Sequence, residues 1–469
     1  MIQEPWRLDA TALAEAIRNG RLTSRDAVES CLSRLHTVNP RINAVTVTLA
    51  DEARAAADEA DAALRRGEAL GPLHGVPVAI KENVDQARTA TTAGVAAFRD
   101  MMAPDDSAPV ANWRRSGAVI VGRTNTSPFA MRWHTDNELR GATLNPWDTS
   151  LTPGGSSGGA AAALAAGIVP LAHGNDYGGS IRWPAYCCGV TGLRPTFGRI
   201  PSFNPSAKED RGFTSQTFAV QGPMARSVRD LRLGLAAMCG RDPRDPWWVP
   251  APLEGPAPAS PLKVALAIDP GGQGVAPAVA HAVRKAGRAL ERAGYVVEEV
   301  DPPSVELAAD LWWRLAWTET RHVVAPAIER FGDDALRQTT ARYMASAPDI
   351  DLAGYMKDIA RRATCLREWM VFLERYAVVV GPVSTQPVPG AAFDIADGAD
   401  ALEQKKAFRL LISVNLLGLP AVSVPTGVEG NVPCGVQVIG SRFREDLCLA
   451  AAEAIEANCG VFTPIDLAR

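Results

Sequence analysis

Two glycine–serine clusters and one lysine carry the residue types needed to attack a carbonyl carbon. The first cluster is Pro153-Gly154-Gly155-Ser156-Ser157-Gly158-Gly159. Alone it reads equally as a flexible turn, and it also fits a loose Gly-x-Ser-x-Gly elbow centred on Ser157. Such an elbow needs a strand leading into the serine, and residues 148–153 are turn-like, which argues against it. The second cluster is Gly174-Asn175-Asp176-Tyr177-Gly178-Gly179-Ser180-Ile181-Arg182-Trp183-Pro184-Ala185. Ser180 follows two glycines, whose missing side chains let successive backbone N–H groups converge beside its hydroxyl. A nest of that kind is what an oxyanion requires. Serine is a weak nucleophile without a base, and no His–Asp pattern accompanies it. The candidate base is Lys81, a lone amine closing the apolar run Gly75-Val76-Pro77-Val78-Ala79-Ile80. Only a neutral amine accepts a proton, so Lys81 would need burial to bring its pKa below the usual ~10.4. A lysine reaching out to solvent from a strand end is the competing reading.

Other chemistries find little support. The six histidines are scattered, with neither His-Glu-x-x-His nor Cys/His spacing suited to zinc. No Gly-x-Gly-x-x-Gly follows a strand and no Gly-Lys-Ser/Thr loop occurs, so no cofactor is expected. A Ser-x-x-Lys match at Ser260 and Lys263 falls in a proline-rich connection and reads as chance. The eight cysteines form no Cys-x-x-Cys pair, and adjacent Cys187 and Cys188 are poorly placed for a disulfide; buried, reduced thiols are expected. A net charge of −4 gives no reason to expect nucleic acid or an anionic membrane. The first residues lack a basic and an apolar signal region, so the reading is a cytoplasmic protein. The small-apolar run 158–172 is too short for a membrane span and reads as a buried helix.

These residues have to be held by a large core, which the 47% apolar content allows. Residues 1–70 look helical. Thr23 or Ser24 caps a segment with Val28, Cys31, Leu32, Leu35 and Val38 at helical spacing, expected to stop before Pro40. An Ala-rich helix spans 49–66. Short apolar runs at 76–80, 118–121 and 168–171 then alternate with helical stretches, the pattern of an α/β sheet covered by helices. A proline-rich connection (241–261) follows the 71–240 region. Beyond it come a strand at 262–268, a helix opened by Pro277, and a strand at 295–300. Residues 305–375 look helical and contain Trp312, Trp313 and Trp317, which could equally wall a pocket or pack a core. Strands at 377–380 and 421–424, both central, and a closing helix at 446–456 complete the reading. No repeat or long linker divides the chain, so a single domain over 1–469 is expected.

Taken together, the Lys81 segment, Pro153 to Gly159 and Gly174 to Ala185 resemble the amidase signature family, with Ser156 and Ser180 24 positions apart as in that family. The similarity extends through Gly122-Arg123-Thr124-Asn125-Thr126, Phe129-Ala130-Met131, Gly189-Val190-Thr191-Gly192-Leu193-Arg194-Pro195-Thr196 and Gln221-Gly222-Pro223-Met224-Ala225-Arg226-Ser227-Val228. Gly418-Leu419-Pro420-Ala421 and Gly435-Val436-Gln437-Val438-Ile439-Gly440 add to it. The resemblance implies a three-layer α/β/α domain with a mixed central sheet. It implies Ser180 as nucleophile, Ser156 on a cis peptide as the bridging serine, and Lys81 as base. The backbone N–H groups of Tyr177, Gly178, Gly179 and Ser180 would form the oxyanion hole, with Ser157, Asp176 and Arg182 bracing the loop. Where the family usually has small hydroxyl residues this chain has Asn175 and Tyr177, which bears on specificity. Met131, Trp133, His134, Asn175 and Tyr177 are the expected substrate contacts, with Arg132 the one candidate partner for a charged substrate. The expected activity is hydrolysis of bulky apolar or aryl amides and anilides, with esters and aryl carbamates open to the same machinery. The expected partner is this small-molecule amide, without nucleic acid or membrane, and the assembly allows a homodimer. The alternative is the glutaminase subunit of an aminoacyl-tRNA amidotransferase, which carries the same signature.

Overall fold

The computed structural model describes residues 2–258 and 261–467. Ser260 of the Ser-x-x-Lys match therefore lies outside the described residues. Among these, eleven strands form one mixed sheet: β1 (Val45–Thr48), β2 (Pro77–Lys81), β3 (Val119–Thr124), β4 (Leu171–Asp176), β5 (Thr191–Arg194), β6 (Val220–Ala225), β7 (Lys263–Leu266), β8 (Val296–Glu299), β9 (Val378–Gly381), β10 (Ala421–Glu429) and β11 (Val432–Gly440). Their order is β1-β3-β2-β4-β6-β5-β10-β11-β9-β7-β8. β2 runs parallel to both β3 and β4, as β7 does to β8 and β9; the remaining pairs are antiparallel.

Helices cover both faces, which is why the central strands read as unbroken apolar runs rather than alternating ones. Side chains along a strand point alternately to the two faces. Ala79, Val119 and Val121 accordingly join one core, and Val78, Ile80 and Ile120 the other. The first core also holds helices Ser24–Ile42, Gly158–Ala165, Val305–Glu319, Leu352–Leu373 and Arg409–Leu417. The second holds Ala10–Arg18, Ala108–Arg115, Val228–Met238, Pro277–Arg292 and Glu445–Cys459. This is the α/β class with a mixed sheet between helical layers. No helix among the described residues is long and apolar enough to cross a membrane.

Several local expectations need correction. The helix capped by Thr23 does not stop before Pro40 but runs through it to Ile42. Pro40 sits in the last turn, where buried Ile42 anchors the chain, and Asn43 closes the helix in the left-handed region. The run 158–172 is helical only over Gly158–Ala165; Gly167 turns the chain at φ +76°, and β4 starts at Leu171 rather than 168. Five cysteines are buried, but Cys239, Cys434 and Cys459 are only half-buried; all eight are free.

β2 and β4 position the chemistry. Val78 is level with Leu171 and Ala79 with Ala172, so Lys81 at the end of β2 lies beside the last residues of β4. Ligands of α/β sheets gather outside such carboxyl-terminal strand ends. Just past the end of β3, helix Gly158–Ala165 packs so closely that a Cβ on Gly159 would lie 2.4 Å from the Asn125 nitrogen and 2.7 Å from the Ala44 oxygen. Those two atoms are hydrogen-bonded to each other at 2.9 Å and have no room to yield. Gly159→Ala should therefore cost about 1–3 kcal/mol of stability, read as a lowered thermal-unfolding midpoint. A midpoint equal to that of the parent protein would contradict this packing.

Candidate active site

Lys81 is fully buried at the end of β2. Its Nζ lies 2.7 Å from Ser156 Oγ, 2.9 Å from Ser157 Oγ and 2.7 Å from Asn175 Oδ1. A neutral amine has two N–H donors and one lone pair. The Asn175 amide oxygen can only accept. Ser157 directs its own hydroxyl toward the Asn175 carbonyl at 3.5 Å, leaving its oxygen free to accept from the amine. In a neutral amine with both N–H groups so engaged, the lone pair would be left for the Ser156 hydroxyl. Burial pushes the Lys81 pKa well below the ordinary lysine value, and the charge of Asp176 opposes this only in part. The adjacent carboxylate, Glu82, is turned away and held by Thr46, Thr92 and Arg140 at 2.6, 2.7 and 2.7 Å.

The predicted nucleophile follows β4 on a loop built around Asp176. One carboxylate oxygen of Asp176 accepts from the Gly179 N–H at 2.9 Å and Asn415 Nδ2 at 2.7 Å. The other accepts from the Ile181 N–H at 3.2 Å and Arg182 Nε at 3.1 Å. Burial alone would raise the Asp176 pKa, but Arg182 and Arg194 overcome it and hold the carboxyl below the usual range. Arg182 in turn donates to Gln437 Oε1 and Asn415 Oδ1, both at 2.7 Å. Asp176 and Arg182 thus hydrogen-bond with the loop and its surroundings, and Ser157 contacts Lys81 and the Asn175 carbonyl. Of the four N–H groups expected to face an oxyanion, that of Gly179 is engaged by Asp176, which leaves those of Tyr177, Gly178 and Ser180. Among the described residues these three N–H groups donate to no side chain or loop carbonyl.

The Gly155–Ser156 peptide is cis. Ser156 is fully buried against Lys81, whereas Ser180 lines an open cleft. Among the described residues Lys81 Nζ contacts Ser156 Oγ, and no hydrogen bond joins Ser180 Oγ to Ser156. Catalytic hydrogen bonds commonly tighten only once substrate is seated.

Of the expected substrate contacts, Met131, Trp133 and Tyr177 line the cleft beside Ser180. His134 does not. It is buried behind the cleft with Nδ1 2.9 Å from Thr152 Oγ1, and burial lowers its pKa. Asn175 is also absent from the cleft wall, since its amide bridges Lys81 and Asn83. Trp312 and Trp317 line the cleft, while Trp313 stacks on Trp133 and donates to Ser346. Arg132 borders the cleft but is fixed by a two-pronged ion pair to Asp394, with both contacts at 2.9 Å. Its charge is therefore already neutralised. The Tyr177 hydroxyl is tied to Thr214 at 2.9 Å, and Thr214 to Glu319 at 2.7 Å. Residues that sequence reasoning misses include Asn83, Asn415 and Glu319. No motif marks them, because each reaches the site only through the fold. Among the described residues no three His, Cys, Asp or Glu side chains gather as a metal-binding group.

The family model for amidases matches residues 26–449. An indoleacetamide hydrolase of Bradyrhizobium diazoefficiens is 46% identical over 457 residues, covering 97% of this chain and 87% of that protein. One component of the glutamyl-tRNA(Gln) amidotransferase of Moorella thermoacetica is 33% identical over 483 residues, 97% of each chain. The solved structure of 6-aminohexanoate cyclic dimer hydrolase complexed with substrate has a TM-score of 0.83 at 29% identity, covering 97% of this chain and 98% of that one. On the family match over residues 26–449 and this degree of identity, the chain belongs to the amidase signature family.

Proposed function

We propose that the protein hydrolyses neutral aryl-substituted amides, arylacetamides of the indoleacetamide type foremost, through an acyl-enzyme on Ser180. The observation that carries this reading is the cleft beside Ser180. Trp133, Tyr177, Trp312 and Trp317 form its wall, and its one bordering charge, Arg132, is already paired with Asp394. Aromatic walls with few polar groups suit a flat apolar ligand. Free glutamine would bring an ammonium that finds no carboxylate among the lining residues, and a carboxylate for which Arg132 keeps only Nη1 beside its ion pair with Asp394; burying such charges unpaired is costly. The likeness to an indoleacetamide hydrolase supports the same class.

In this mechanism Ser180 Oγ attacks the amide carbon. Ser156 takes its proton and passes its own to the lone pair of Lys81. The carbonyl oxygen becomes an oxyanion beside the N–H groups of Tyr177, Gly178 and Ser180, which are already oriented and need no reorganisation. The proton returns from Lys81 through Ser156 to the nitrogen, the C–N bond breaks, and ammonia or an amine leaves. Water then attacks the ester by the same relay in reverse, releasing the acid and restoring Ser180.

An arylacetamide should exceed free glutamine by at least about tenfold in kcat/KM, or roughly 1.4 kcal/mol of transition-state binding. Comparison of the two substrates under identical conditions checks this. Glutamine proving the better substrate would discard the aryl reading and favour the glutaminase component of an amidotransferase, for which the 33% relative is the precedent.

Mass-spectrometric mapping after treatment with a fluorophosphonate should place the adduct on Ser180. Lys81→Ala should depress turnover of an aryl amide more than that of the matched nitrophenyl ester, because an amide nitrogen must be protonated to leave and a nitrophenolate need not. An adduct confined to Ser157, or equal losses on amide and ester, would refute the relay.

A further inference from the structure

The carbonyls of the loop that carries Ser180 are held one after another by fixed donors. The Asp176 carbonyl accepts from Arg194 Nη1 at 2.7 Å. The Tyr177 carbonyl accepts from the Trp312 indole N–H at 3.2 Å and the Gly178 carbonyl from the Trp133 indole N–H at 2.8 Å. The Gly179 carbonyl accepts from the Trp183 backbone N–H at 2.7 Å. In a planar trans peptide the C=O and the following N–H point in opposite directions. Fixing each carbonyl from behind therefore aims the N–H groups of Tyr177, Gly178 and Ser180 the other way, and sends that of Gly179 onto Asp176.

The geometry points to Trp312 as the positioning residue for the Gly178 donor, through the Tyr177 carbonyl, and to Trp133 as its support, which holds the next peptide and so commits the Gly179 N–H to Asp176. Trp312 lies against Gly178, where a Cβ would be 2.8 Å from the ring. Trp133 is itself held by the Trp183 indole N–H, which donates to its carbonyl at 2.9 Å. A buried indole seeks an acceptor wherever it lies, so a hydrogen bond alone would mean little. Trp317 supplies the contrast. It lines the same cleft, yet its N–H has no partner. Of the rings that line the cleft beside Ser180, Trp312 thus also sets the Gly178 donor and Trp133 fixes the peptide that follows it, whereas Trp317 holds no part of the loop by its N–H.

This inference rests on the Ser180 acyl-enzyme reading, and its test separates the two. Trp133→Phe, Trp312→Phe and Trp317→Phe are compared in the full-length enzyme for kcat and KM on an arylacetamide. Each is also titrated with an arylmethyl boronic acid, whose tetrahedral serine adduct places an oxygen in the nest, and with the arylacetate product. Folding is checked by near-ultraviolet circular dichroism. The first two variants should lose at least about tenfold in kcat, with boronate affinity falling in parallel and product affinity nearly kept. Trp317→Phe should act on KM, weakening boronate and product together. Equal weakening of boronate and product in the Trp133 and Trp312 variants would overturn the inference. The unsubstituted enzyme gives a reading that needs no variant: the indole protons of Trp133 and Trp312 should exchange with solvent at least about tenfold more slowly than that of Trp317, and equal exchange would overturn the clamp. If the unsubstituted enzyme forms no adduct on Ser180, the acyl-enzyme reading itself fails. If it forms one and the variants show no selective loss of boronate, only the indole clamp fails.

Discussion

Enclosing a lysine amine in protein, with no carboxylate in contact, disfavours its ammonium form, and the proposed chemistry depends on that constraint. An isolated ammonium in such a place would carry a large desolvation cost. The protein removes the two carboxylates that could restore the charge. Glu82 is turned onto Arg140 and two threonines, and Asp176 onto Arg182 and Arg194. What remains around Lys81 is an amide oxygen and two hydroxyls, which suit two N–H groups and one lone pair. Asn175 has a role here that a small hydroxyl residue would fill differently, because its carbonyl can only accept. It therefore fixes one of the two amine protons.

The same Asp176 ties the amine's surroundings to the loop of Ser180. Its carboxylate closes the turn at Gly179, and its partners reach into distant parts of the sheet. Arg182 contacts Gln437 on β11 and Asn415 on helix Arg409–Leu417, positions separated from it by 255 and 233 residues. Arg194 at the end of β5 holds the Asp176 carbonyl. A buried ionic network costs desolvation, and well-packed apolar residues often match its stability. Its value here lies in direction: it fixes where backbone N–H groups point, which a hydrophobic contact cannot do. The aromatic wall adds to that, since Trp133 and Trp312 touch both the cleft and the loop.

The parts of this arrangement that are legible in the sequence are those with local causes. Glycines before Ser180, an apolar run ending in Lys81, and the interval between the two serines are properties of short segments. The central strands can be read because burial on both faces makes them continuously apolar. Local reading fails where long-range contacts decide. His134 follows four cleft residues in sequence, Ala130 to Trp133, yet its ring turns to Thr152. Asn175 precedes the nucleophile loop, yet it points back at the base. Trp312, Trp313 and Trp317 share one helix, and periodicity cannot say which arc faces a cleft and which faces Trp133. Asn415 belongs to no motif. At Pro40 a rule about helix ends fails because it ignores the buried Ile42 two residues later.

The charge on Lys81 can be observed directly. The chain has only seven lysines, so carbon-13 labelling at lysine Cε gives a spectrum in which Lys81 is assignable by its loss in Lys81→Ala. A group whose folded pKa is lowered is neutral above that lowered value and gains its proton only below it. The Lys81 resonance should therefore already have the neutral shift at a pH where the exposed lysines are still ammonium, with its midpoint well below ~10.4. A Lys81 signal that titrates with the others, or stays charged up to their midpoint, would contradict a neutral lysine as the base.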